Sequence, residues 1–189
     1  MGTFNSPFPA SGKTFGPVGG ATGYVSFSPF AATATATVGN SVAETSLLGT
    51  GIGTKTIPAN YLSIGTMIKI YITGTIGTDA VVPAITIKTY YGATALSTAT
   101  ATPAAQITAG TIFEYTATCI VTAIGASGSL TSGQVAWPRI LTALLPGAAP
   151  AAVTVDTTVA GAIDAKITWG TANANNTISA LTGYIEVIG

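Results

Sequence analysis

Apolar and polar positions alternate with a period of two in several stretches of the chain, which predicts β-strands. Met67–Thr73 reads MIKIYIT, with Ile68, Ile70 and Ile72 on one face and Lys69 and Tyr71 on the other. Ala84–Tyr91 reads AITIKTYY and puts Ile85 and Ile87 on one face. In Ile112–Ile124, IFEYTATCIVTAI, the residues Phe113, Tyr115, Ala117, Cys119 and Val121 share a face. Glu114, Thr116 and Thr118 begin the opposite face, and Ile120 and Ile124 make its far end apolar. In Ile163–Trp169, Ile163, Ala165, Ile167 and Trp169 oppose Asp164, Lys166 and Thr168. Tyr184–Ile188 reads as a last strand and ATATATV (32–38) as a first, while RILTALL (139–145), after Pro138, reads as a strand or a helical turn. Turn-forming runs separate them: GTGIGT at 49–54, GTIGTD at 74–79, GASGS at 125–129, PGAAP at 146–150 and GTANANN at 170–176. Short strands at this spacing, rich in Thr and Val, predict an all-β, antiparallel sandwich or barrel.

Residues 1–38 break the pattern. They hold Pro7, Pro9, Pro17 and Pro29 and six glycines up to Gly23, so they resist helix and central-strand roles. Yet Phe4, Phe8, Phe15, Phe27 and Phe30 lie here, and the one other phenylalanine is Phe113. The core has Ile, Val, Leu and Ala enough without them. Spaced rings on an extended backbone suit an arm that docks ring by ring into pockets on another subunit, recovering its ordering entropy on binding. The expected organisation is an extended Pro/Gly/Phe-rich N-terminal arm, 1–38, followed by a β-sandwich, 39–189, with those five rings as partner-binding anchors.

Composition sharpens this picture. Charged residues are 6% of the 189, against roughly 25% in an ordinary soluble domain. Six basic and six acidic side chains cancel. A neutral, charge-poor surface keeps separate molecules apart poorly, so much of it is expected to be covered by further copies or by a partner. The bases Lys13, Lys55, Lys69, Lys88, Arg139 and Lys166 are scattered singly, so a nucleic-acid partner is not expected. No apolar run approaches the ~20 residues of a membrane helix. The first residues lack the charged and apolar regions of a secretion signal, so folding in a cytoplasm is expected. The single cysteine suits a reducing compartment.

Catalytic chemistry is thin. There is no histidine, so triads and common metal sites built on it are excluded. Cys119 lies on the apolar face of its strand, as a small buried hydrophobe would. Nothing in the sequence pairs any two of Glu44, Asp79, Glu114, Asp156, Asp164 and Glu186, and Asp164 is expected to face solvent beside Lys166. Ser11–Thr14, SGKT, shares the end of a phosphate-binding loop, but Pro7 stands where the leading glycine belongs. Tyr71, Tyr90, Tyr91 and Trp169 are candidates for a sugar-stacking surface. No enzyme, metal or cofactor is expected.

TKTIPANYLSIGTMIKIYITGTIGT (54–78), ITIKTYYGATALST (85–98) and ITWGTANANNTISALTGYIEVI (167–188) resemble virion proteins of tailed bacteriophages. The similarity is to jelly-roll β-sandwich proteins, most of all the capsid cement (decoration) proteins of cyanophages, and covers roughly residues 45–189. It implies a jelly-roll-like fold and a non-enzymatic viral structural role. The protein would form a homo-oligomer, a trimer, on the capsid's outer surface in the virion and clamp neighbouring major capsid protein subunits through the arm. Related tail-fibre or tail-tip receptor-binding proteins, which bind glycans, are the alternative the same resemblance carries.

Overall fold

The computed structural model describes residues 25–31, 37–48, 55–138 and 151–189, with side chains described for 38–48, 56–133 and 151–189. Its strands in chain order are β1 (Val25–Ala31), β2 (Thr37–Gly39), β3 (Thr45–Ser46), β4 (Lys55–Ile57), β5 (Met67–Gly77) and β6 (Ile85–Tyr91). They continue with β7 (Thr94–Ala101), β8 (Thr111–Ala123), β9 (Gly128–Pro138), β10 (Ala151–Val155), β11 (Gly161–Trp169) and β12 (Thr177–Ile188). All pairings are antiparallel.

Sheet A runs β1-β12-β5-β8-β9-β10, with β2 also on β12; sheet B runs β3-β11-β6-β7, with β4 also on β11. The inner eight positions, β2-β12-β5-β8 facing β3/β4-β11-β6-β7, have the order of a jelly roll. Two edges are interrupted strands. β1 pairs with 182–188 of β12, and β2 with 177–179 of the same strand. Likewise β3 and β4 share one edge of β11. β9 and β10 widen sheet A beyond the jelly roll.

The alternation read from the sequence sets the core. Ile68, Ile70 and Ile72 of β5, the five inward residues of β8, and Ile163, Ala165, Ile167 and Trp169 of β11 are all almost fully buried. Their burial supplies most of the fold's driving force, at about 25 cal/mol per Å² of apolar surface. Polar contacts cross between the sheets. The Thr89 and Tyr115 hydroxyls are hydrogen-bonded. The Cys119 thiol donates to Ser132 Oγ at 3.3 Å, which donates to Ser97 Oγ at 3.2 Å. Trp169 Nε1 donates to the Val38 carbonyl at 3.4 Å, tying sheet B to β2. Among the described residues no buried side-chain nitrogen or oxygen lacks a partner, so none carries the cost of an orphaned group.

Burial pushes the Cys119 thiol up to about 11. In the native protein it should therefore resist maleimide, and labelling should follow global unfolding in denaturant. Labelling of folded protein at the rate of a free thiol would mean that the core opens locally.

Several expectations change. The turn expected at 74–79 begins only after Gly77, because β5 continues through both of its glycines. At Gly74 an added Cβ would lie 1.9 Å from the Ser179 carbonyl, so the glycine permits close strand approach rather than a turn. The turn expected at 125–129 is present: the Gly128 amide donates to the Gly125 carbonyl at 3.0 Å and Gly128 then opens β9. Val25–Ala31, counted with the arm in the sequence, is hydrogen-bonded along β12. Pro29 is tolerated there because β1 is an edge strand, with one side unpaired. The readings of 49–54, 139–145 and 146–150, and most of that for 32–38, fall outside the described residues.

Candidate interaction surface

The two outer faces of the sandwich differ chemically because different residues alternate with the core positions. On sheet A, β12, β5 and β8 align in rows. Ile188 lies opposite Met67 and Met67 opposite Ile120. One row along, Glu186, Lys69 and Thr118 align; next come Tyr184, Tyr71 and Thr116. Ile112 and Ile120 are 66% and 45% exposed. β1 extends these rows: Val25 registers with Ile188, Phe27 with Glu186 and Pro29 with Tyr184, while Phe30 registers with Gly183. Of the five expected anchors, Phe27 and Phe30 thus belong to an edge strand of sheet A. Phe4, Phe8 and Phe15 lie outside the described residues.

The Tyr71 and Tyr184 rings stack with centroids 5.3 Å apart, and Lys69 Nζ lies 5.7 Å from the Tyr184 centroid. The Tyr184 ring therefore has both an aromatic and a cationic neighbour on β5. Burial and the nearby Glu114 raise the Tyr71 phenol above its ordinary value. The four aromatics considered for a sugar surface are not brought together. Tyr71 is on the outside of sheet A, while Tyr90, which meets Glu44 and Lys166 on sheet B, is itself buried, as are Tyr91 and Trp169.

Sheet B presents threonines and paired charges. Thr86, Thr98, Thr100 and Thr168 alternate with the core on β6, β7 and β11. Lys88 and Lys166 lie directly opposite each other, a repulsive placement. Both find other partners. Lys88 Nζ reaches Glu44 at 2.8 Å, while Lys166 Nζ sits 4.3 Å from the Tyr90 centroid. Tyr90 OH donates to Glu44 at 2.6 Å. These contacts lower the Glu44 carboxyl and raise Lys88, each holding its charge. Asp164 does not simply face solvent: it accepts from Ser46 Oγ at 2.7 Å and from the Ala165 amide at 2.8 Å. Burial raises its carboxyl despite those bonds. This network includes two of the six bases and two of the six acids. It pins the two-residue β3 to its neighbours.

The remaining cluster is a loop staple. Asp79 accepts from Asn173 Nδ2 and Asn175 Nδ2, each at 3.0 Å, and its amide donates to Asn176 Oδ1 at 2.9 Å. The fully buried Asn176 also donates to the Thr171 carbonyl at 3.0 Å. The asparagines of 170–176 thus tie that loop to the end of β5. Among the described residues no three His, Cys, Asp or Glu side chains gather as metal ligands. No helix among them is long and apolar enough to cross a membrane.

The strand order defines a jelly-roll sandwich, and the apolar row and tyrosine pair on the outer face of sheet A are the candidate site. No known protein-family model matches this chain, and no curated protein matches it.

Proposed function

We propose that the protein is a non-enzymatic capsid cement protein of a tailed bacteriophage, trimeric on the outer shell of the virion and assembled in the host cytoplasm. Its partners are further copies of itself and the major capsid protein. The observation that carries this reading is the contrast between the two outer faces. Among its threonines and charges the outer face of sheet A carries the apolar row Ile188, Met67 and Ile120 and the stacked Tyr71 and Tyr184, beside β1, whereas sheet B carries threonines and paired charges without such a row. Such a molecule suits a layer between a protein surface and water. The charge-poor composition and the resemblance over residues 45–189 support the same role. In this reading the sandwich supplies the oligomer contact and the arm clamps neighbouring capsid subunits.

Quantitative mass spectrometry of purified particles tests it. The expected result is a copy number in simple ratio to the major capsid protein. A handful of copies per particle would place the protein in the tail and favour receptor binding, and its absence from particles would end the virion reading.

A further inference from the structure

Two lysines meet in the middle of sheet B. Lys88 of β6 and Lys166 of β11 are in direct register. Both strands are interior to the sheet, so neither lysine guards an edge. Like charges placed this way repel, and these are two of only six bases in the chain. Around them the geometry is that of a receptor for one carboxylate. Lys88 Nζ stands 2.8 Å from Glu44 Oε2, and Tyr90 OH donates to Glu44 Oε1 at 2.6 Å. The Lys166 ammonium lies 4.3 Å from the centroid of the same Tyr90 ring. Tyr90 alternates outward on β6 with Thr86 and Lys88, yet it is only 8% exposed. The carboxylate itself comes from outside the strands. Glu44 precedes β3, and residues 42–45 are exposed. Its neighbours bond locally: the Ala43 amide donates to Ser41 Oγ at 3.0 Å and Thr45 Oγ1 to the Ala43 carbonyl at 3.1 Å. Surface ion pairs hold weakly, so Glu44 is a replaceable occupant. Asp164, two residues before Lys166, is already engaged by Ser46 Oγ and the Ala165 amide.

We propose that Lys88, Tyr90 and Lys166 form a binding site for the carboxylate of an acidic sugar, and that Glu44 of the same chain occupies it when the sugar is absent. The surroundings favour a sugar over an acidic protein. Thr98 registers with Lys88, and Thr168, Thr86 and Thr100 form the next row. Hydroxyls donate and accept alike, as the hydroxyls of a sugar require. Among the described residues none of the exposed large apolar side chains lies on β6, β7 or β11. Protein interfaces, in contrast, centre on apolar and aromatic contacts. The site is a property of sheet B and holds whether or not the protein sits on a shell.

Titration calorimetry of the purified full-length protein with polygalacturonate tests it. Glu44→Gln keeps the size of the side chain and removes the competing charge. That variant should bind about tenfold more tightly than the parent, because a tethered carboxylate competes at an effective concentration of order millimolar. Adding Lys88→Gln and Tyr90→Phe should return binding to background, since the charge-assisted bonds are then gone. Dextran, which has hydroxyls and no carboxylate, should not bind. Protection of the buried Cys119 from maleimide checks that each variant is folded. In the parent, galacturonate should shift the backbone amide resonances of Glu44 and Thr45 as Glu44 is displaced, a readout that needs no variant. Equal affinities of the parent and Glu44→Gln, or binding that survives loss of Lys88 and Tyr90 together, would overturn the proposal. So would amides unmoved up to the solubility limit of galacturonate. Tighter binding of polyglutamate than of polygalacturonate would overturn it too, by making the site one for an acidic protein.

Discussion

Replacing Gly74 by alanine should destabilise the sandwich by about 3 kcal/mol or more, the largest cost expected of any single added methyl group. Gly74 lies opposite Ala180 of β12 on one side and Phe113 of β8 on the other. A Cβ there would stand 1.9 Å from the Ser179 carbonyl oxygen and 2.9 Å from Ala180 Cα. Both are backbone atoms of a fully paired strand, so no rotamer change relieves the clash. The Phe113 ring, 2.8 Å away, is itself locked in the core. Relief requires β5 and β12 to separate beside the bulge at Ala180/Thr182, breaking ladder hydrogen bonds in the middle of sheet A. Gly65 is the control. Its φ is +91° but its surroundings are open, so Gly65→Ala should cost only about 1 kcal/mol of backbone strain. Denaturant midpoints of the two variants check this. A Gly74→Ala loss no larger than that of Gly65→Ala would mean that the bulge is free to move.

Replacing Phe8 and Phe15 together by alanine should reduce decoration of empty shells by about 10²- to 10⁴-fold in affinity. Burying one such ring is worth roughly 1.5–3 kcal/mol, and each 1.4 kcal/mol is tenfold. The sandwich should unfold at nearly the same denaturant concentration as the parent, since the core of the described strands is built without either ring. Sedimentation of shells with bound protein reads the affinity. Shells decorated as well by the double variant would remove the arm from the clamp and leave the body of the sandwich to carry the contact.

The strongly alternating strands were legible in the sequence because their core faces are large and β-branched, as in Ile68–Ile72 and Ile163–Ile167. The buried face of β8 was legible because Phe113, Tyr115, Ala117, Cys119 and Val121 alternate with the polar Glu114, Thr116 and Thr118. β9 and β10 were not, because GSLTSGQVAWP and AAVTV carry too few large apolar residues to show a period. The two-residue β3 was equally silent. With it went the link between Glu44 and Lys88, since residues so far apart in the chain meet only through the strand order. Glycine misled at 74 and 77, where it reports a close approach of neighbouring backbone rather than a turn. The apolar end of the outer β8 face was visible in Ile120 and Ile124. That Ile120 joins Met67 and Ile188 in one row needed the register.

β1 and β2 both pair with β12, so the first strands of the described chain find their partner in the last. On the ribosome, β5 to β8 emerge long before β12 exists, and the edge that anchors the arm has nothing to bind until synthesis is nearly over. A topology so dominated by distant contacts also folds slowly once released. A prematurely terminated chain that lacks β12 therefore has no way to fasten its arm, and a nascent-chain series should show protection of β1 from protease arising only with the final strand.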